Sequence, residues 1–298
     1  MKRILITLGH RVPFEGENTS DVGNLVVIDW DTKEVRRFPI NGRTPIDKGR
    51  SRGASGLDFF EGSLFVASRG DLIALHPNIY EEQYRVNIGY PRGIHQIKAH
   101  EDILWLACME RNCKQAVKNG KVIDLVPTKY SGIDENTKPP GCFNALTWSP
   151  NGDEFHMYTG PEEIYNFTQR KVVIKGNLGT GPHDLCFLNE NELLFTRSLS
   201  RELVRVNLDS GDMEVIFSSL GSLQANDWNF AGFMRGIEYS KKDDSVFVMS
   251  GPGILYELDI KTWRVKQDFD FLYDYNLKQE EIESVCPFDI LLDPRDWR

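Results

Sequence analysis

Five stretches of this 298-residue chain repeat one pattern: a small or polar residue two places before an apolar–x–apolar pair, a short polar turn, then an apolar run ending in Ala, Ser, Thr or Cys. They read SGLDFFEGSLFVAS from Ser55, HQIKAHEDILWLAC from His95, NALTWSPNGDEFHMYT from Asn144, HDLCFLNENELLFTR from His183 and RGIEYSKKDDSVFVMS from Arg235. Their spacing is about 40 to 50 residues, the period of propeller blades. A second hairpin follows the first in each unit. ELVRVNLDSGDMEVIFSS from Glu202 alternates on both sides of Asp209-Ser210-Gly211, and ILYELDIKTWRVKQDF from Ile254 does so around Asp259 to Thr262. Four strands per unit make a blade.

The ends of the chain supply the sixth blade. RILITLGH and GNLVVIDWDTKEVRRFPI read as strands two, three and four without a first strand, while CPFDILLD from Cys286 matches GPHDLCFL from Gly181 and has no strands after it. A terminal strand completing a blade begun at the other end closes the ring and removes its free edges. The expectation is an all-β, six-bladed propeller over 1–298 as a single domain. Its blades are 286–298 plus 1–40, 52–90, 91–128, 141–178, 181–219 and 233–272. This length is compatible with one all-β domain.

Propeller geometry sorts the charges. Loops from strand four to the next strand one, and from strand two to strand three, share one face, here called the top. Arginines gather there, among them Arg52, Arg69, Arg92, Arg111, Arg197, Arg201 and Arg235, whereas the opposite turns carry Glu61, Glu101, Asp102, Asp153, Glu154, Glu190, Glu192, Asp243 and Asp244. Four second strands end alike, LGHR, VASR, CMER and LFTR. One loop arginine reads as solvation. A converging set on a chain of net charge −9 reads as a focused positive mouth for a small anionic molecule or an anionic glycan. Nucleic acid does not fit that net charge. No apolar run approaches the ~18 residues of a membrane span, and the apolar part of MKRILITLGHR is shorter than the ~7 to 15 residues of a signal h-region. Five cysteines without a CxxC pair read as reduced thiols of a cytoplasmic protein.

Each repeat is headed by a residue at the top end of an inner strand, so Ser55, His95, Asn144, His183, Arg235 and Phe288 are expected to face one another around the axis. In the blocks Asn144-Ala145-Leu146, His183-Asp184-Leu185 and Arg235-Gly236-Ile237 the chain resembles the six-bladed propellers of the gluconolactonase/regucalcin-like and NHL-like superfamily. The resemblance implies a fold and a site location, since metal ligands of that family stand two residues before the first core apolar residue of strand one. The set departs from that family's, with histidine at positions 95 and 183, where carboxylate or amide is usual, and an arginine at 235 that repels a metal.

Two chemical readings of the ring stay open. In one, His95, Asn144 and His183 hold a divalent metal with open positions for water. In the other, the histidines act as general acid, general base or nucleophile, with Asn144 orienting and Arg235, Arg92 and Arg52 binding the anion. Trp228, in the long segment SSLGSLQANDWNFAGFM, is a candidate for stacking on a ring substrate. Asp184 and Glu238 are candidates for orienting a histidine. No P-loop, GxGxxG, GxSxG or HExxH arrangement appears. The resulting expectation is an enzyme acting on a sugar acid, lactone, or phosphate or sulfate ester. A non-catalytic propeller binding an anionic glycan or acidic peptide on the same face is the alternative.

Overall fold

The computed structural model describes residues 2–10, 23–40, 54–68, 71–89, 93–109, 111–131, 142–219, 233–272 and 285–297. They form six antiparallel sheets of four strands each, the blades of a propeller. The first blade is β24 (Val285–Leu292), β1 (Arg3–His10), β2 (Gly23–Asp29) and β3 (Val35–Pro39) from axis to rim. The second is β4 (Ala54–Phe60), β5 (Ser63–Ser68), β6 (Asp71–Leu75) and β7 (Glu82–Asn87). β8 (Ile94–His100), β9 (Ile103–Cys108), β10 (Cys113–Lys118) and β11 (Lys121–Pro127) form the third, and β12 (Phe143–Trp148), β13 (Glu154–Tyr158), β14 (Glu163–Asn166) and β15 (Lys171–Lys175) the fourth. The fifth is β16 (Pro182–Phe187), β17 (Glu192–Arg197), β18 (Glu202–Asn207) and β19 (Met213–Ser218); the sixth is β20 (Met234–Ser240), β21 (Ser245–Ser250), β22 (Ile254–Asp259) and β23 (Val265–Asp270). The inner strands β24, β4, β8, β12, β16 and β20 each touch the next and close the ring.

Burial explains the sequence patterns. Second strands such as SLFVAS and SVFVMS are covered on both faces by neighbouring blades and are buried throughout, so they read as continuous apolar runs. Rim strands such as EQYRVN and VKQDFD are largely exposed and carry the charge. Apolar clusters fill the wedges between blades, for example Phe65, Leu72, Ile97, Leu106, Cys108 and Cys113 between the second and third.

The first blade is closed by β24 pairing with β1, Ile4 opposite Leu292 and Ile6 opposite Ile290. The joint is fastened beyond the ladder. Arg3 donates through Nε at 2.6 Å and Nη2 at 3.1 Å to the Asp296 carboxylate. It also lies 3.1 Å from Asp293, and the Trp297 indole donates to its carbonyl at 2.9 Å.

Two features of the inner strands set up the channel. Pairing of each with its second strand slips at or beside the heading residue: the breaks fall at Ala54/Leu57, Ile94/Gln96, Phe143/Ala145, His183/Cys186 and Arg235/Ile237, and opposite Thr7/Leu8 for Phe288. Such bulges re-aim a side chain, which is how the heading residues turn toward the axis. The residue after each heading residue alternates around the ring. In odd blades it is an acceptor that holds a backbone N–H of the next inner strand: Asp289 accepts from Leu57 at 3.2 Å, Gln96 from Leu146 at 3.0 Å and Asp184 from Gly236 at 2.8 Å. In even blades it is Gly56, Ala145 or Gly236. A Cβ on Gly56 would lie 2.6 Å from the Ile97 nitrogen, so here the backbones themselves come into contact.

Candidate functional site

The ring of heading residues is buried and compact. His95 and His183 are each 8% exposed, Asn144 4% and Arg235 6%. The two imidazoles stack, with centroids 5.5 Å apart and planes 12° from parallel. Asn144, on the blade between them, donates its amide to the Pro182 carbonyl at 3.0 Å and lies 3.1 Å from His183 Nε2 through the same nitrogen. The carbonyl partner requires that atom to be the NH2. On the other side of His183, Nδ1 faces the Gly181 carbonyl at 2.7 Å and Ser198 Oγ at 2.9 Å. A carbonyl only accepts, so the neutral ring carries its proton on Nδ1 and presents the Nε2 lone pair to Asn144. That leaves Asn144 Oδ1 buried and without a partner among the described residues, as is Arg235 Nε.

Arg235 follows His183 around the ring, with its guanidinium carbon 5.0 Å from the centroid of Phe288 and 5.7 Å from that of Phe233. The bulge that aims it rests on Gly236, whose φ of +69° favours glycine. Ser55 completes the ring, 3% exposed, its carbonyl accepting from Thr7 Oγ1 at 2.7 Å.

Of the other arginines expected at the mouth, Arg52, Arg69 and Arg92 lie outside the described residues, as does Trp228. Arg111 stands in the turn between β9 and β10. Arg197 is held by its own blade and by the segment leading into it: Nη1 donates to Glu202 at 3.0 Å, Nη2 to the Asn177 carbonyl at 2.7 Å and Nε to the Leu178 carbonyl at 3.3 Å. Arg201, counted from the sequence among the top-face arginines, is 3% exposed. Asp184 and Glu238 do not orient a histidine. Asp184 accepts from Gly236 N–H and Thr196 Oγ1, and Glu238 pairs with Lys98 at 3.7 Å.

That pair belongs to a second layer of the channel, three residues along each inner strand from the heading residue: Asp58, Lys98, Thr147, Cys186 and Glu238. Burial pushes the carboxyls of Asp58, Asp184, Asp289 and Glu238 up, Lys98 pulling each of them back in part. Lys98 itself is pushed down by burial, but Glu238, Asp58 and Asp289 more than reverse this and hold it above its ordinary value. Burial and Glu238 push the Cys186 thiol up to about 12, so it is no nucleophile. Beyond this layer the channel opens into a cavity of about 410 Å³ walled by Lys98, His100, Thr147, Trp148, Cys186 and Glu238. His100 is stacked flat on Trp148 at 4.3 Å. The sequence signal for the second layer was the +3 position, which the bulge keeps on the axis.

The donor set fits a metal poorly. Among the described residues no three His, Cys, Asp or Glu converge on one point. The Nε2 lone pair of His183 meets an amide N–H whose identity the Pro182 carbonyl fixes.

No family model matches the chain, and no curated protein matches its sequence. Solved structures do match. A Bacteroides caccae protein of unknown function aligns over 96% of this chain and 98% of its own, with a TM-score of 0.64 at 14% identity. A Bacteroides uniformis protein described as a "putative 6-phosphogluconolactonase" aligns over 90% and 83%, with a TM-score of 0.54 at 13% identity. The WD40 β-propeller domain of Doa1 aligns over 88% and 86%, with a TM-score of 0.53 at 8% identity. What is shared is the propeller. The neighbours include proteins named for lactonase activity as well as a WD40 domain, and at these identities the likeness is one of fold alone.

Proposed function

We propose that the chain is a lactonase-like hydrolase that binds a small anionic substrate, a sugar acid lactone or its phosphate ester, at the ring of heading residues. The observation that carries this reading is the pair of buried polar atoms without partners among the described residues, Asn144 Oδ1 and Arg235 Nε. Each such atom costs about 1–3 kcal/mol unless a ligand satisfies it. One is an acceptor and the other a cationic donor, so a molecule with a hydroxyl and an oxyanion answers both. In this reading Arg235 binds the anion, Asn144 Oδ1 accepts from a substrate hydroxyl, and His183 is the general base. Its Nδ1–H is fixed by Gly181 and Ser198, and Nε2, once the bound substrate draws the Asn144 amide N–H away from it, takes a proton from water as that water attacks the lactone carbonyl. His95, stacked on it, limits the imidazole to one orientation. The names of the Bacteroides neighbours support the same class of substrate.

The experiment is a thermal-shift titration with gluconate, 6-phosphogluconate, citrate and phosphate, run beside a pH-stat assay of lactone opening. A melting temperature that rises with ligand concentration in the wild type, is lost in Arg235→Ala and returns in part in Arg235→Lys supports the anion site. Lactone opening that falls roughly 10²-fold or more in His183→Ala supports the base. Binding without turnover of any lactone moves the reading to a non-catalytic propeller for an anionic glycan or acidic peptide. No shift with any anion overturns the anion site.

A further inference from the structure

Cys108 ends β9 and Cys113 begins β10, and the ladder places them directly opposite each other. Directly opposed residues of an antiparallel pair have Cα atoms about 4.5–5.5 Å apart, inside the ~4.4–6.8 Å that a disulfide spans. Both side chains enter the same apolar wedge between the second and third blades, and both are reduced thiols. Cys108 is fully buried and Cys113 is 4% exposed. A hydrogen bond from Cys108 draws the Cys113 thiol below its ordinary range, against burial, and the Arg111 charge helps. The two therefore differ in role: Cys113 is the nucleophile and Cys108 its resolving partner.

We propose that Cys108 and Cys113 form a reversible disulfide site, oxidised by small hydroperoxides and reset by a dithiol. The Cys113 thiolate attacks a peroxide oxygen, the O–O bond breaks, and a sulfenic acid forms as hydroxide leaves and takes up a proton. The Cys108 thiol then attacks that sulfur, the S–S bond forms, and a second water departs. Two thiols and one hydroperoxide thus give one disulfide, one water and one water or alcohol. The bond spans a turn that matters to the channel. Asn112, beside Cys113, accepts the Phe143 N–H on Oδ1 at 2.8 Å and donates to the Tyr130 carbonyl at 3.3 Å. Phe143 immediately precedes Asn144. Oxidation therefore acts on the segment that sets the start of β12.

The test is peptide mapping of the intact, folded chain after mild hydrogen peroxide, with alkylation before digestion. Trypsin cuts after Arg111, between the two cysteines, so a linked peptide carrying both reports the bond and dithiothreitol should remove it. The expected result is that linked species in most of the chain, with Cys142 and Cys186 still alkylated. In Cys108→Ser, dimedone should label Cys113; in Cys113→Ser, Cys108 should stay unlabelled. Where a melting curve shows that Cys108→Ser has unfolded, Cys108→Ala gives the same readout. Both thiols recovered alkylated after peroxide, or either linked to another cysteine, overturns the proposal.

Discussion

Asn144 lies 3.1 Å from His183 Nε2 through its amide nitrogen, while its own oxygen is buried with no protein partner among the described residues. One side chain thus both fixes the imidazole and offers an acceptor to the channel. Asn144→Ala should lower stability by only about 1–2 kcal/mol, the net worth of its hydrogen bonds. Anion or lactone binding should weaken by roughly tenfold or more, a loss of about 1.4 kcal/mol per decade. Urea melts and thermal-shift titrations measure the two separately. Anion or lactone affinity left unchanged beside that loss of stability would make Asn144 a structural residue.

The ring closure rests on a carboxylate with no exposure. Asp293 is fully buried between Arg3 and Arg295, whose Nε donates to it at 2.7 Å. Asp293→Ala removes the buried acceptor that Arg3 and Arg295 share, leaving Arg3 to Asp296 and Arg295 to Asn78 and Pro77, and should cost about 3 kcal/mol, with Asp293→Asn milder. Deleting residues 286–298 should abolish cooperative melting altogether, because it removes the inner strand of a blade. Differential scanning calorimetry checks both.

His156 gives the protein an acid-sensitive joint. It is fully buried, with Nε2 2.5 Å from Glu154 and Nδ1 3.0 Å from the Tyr158 hydroxyl. Burial holds its pKa below the ordinary value although Glu154 pulls the other way. It is therefore neutral when folded and takes up a proton on unfolding below pH ~6.5. The unfolded state binds more protons there, so stability falls as pH drops. Burial raises the Glu154 pKa, but His156 and Lys114 more than reverse it, and its contribution is lost lower still, below about 4.5. His156→Gln should flatten the stability difference between pH 7 and 5, by at most about 1.4 kcal/mol per pH unit. Unchanged pH dependence in urea unfolding would contradict this assignment.

Gly56→Ala should destabilise although alanine is small. The added methyl would meet the backbone nitrogen of Ile97 at 2.6 Å, and backbone cannot turn aside as a side chain does. A cost of about 1–3 kcal/mol follows. Gly62→Ala, where nothing lies within 4 Å, is the control that carries only the strain of a φ of +78°.

The blades were legible because buried second strands read as apolar runs and turn residues punctuate them. Heading residues were legible too, since the repeat aligns them. The second layer was not: Lys98 in HQIKAH looks like an exposed strand charge, and only its place three residues beyond a bulge puts it on the axis beside Glu238. Charge sign also says nothing about direction. LFTR closes on an arginine as LGHR, VASR and CMER do, yet the three donor nitrogens of Arg197 are turned to Glu202 and to the carbonyls of Asn177 and Leu178. Asp184 neighbours a histidine in sequence but reaches the next blade, because its φ of +57° swings it away.

The alternation of acceptor and small residue after the heading positions has an evolutionary and engineering corollary. The unit that can be added or removed is a pair of blades, not one. Excising a single blade would set an acceptor position beside an acceptor position, or a small residue beside a small one, and break the alternation that the ring repeats. A propeller of this lineage should therefore grow or shrink in twos, and a two-blade fragment ending between an even and an odd blade is the natural building block for recombining it.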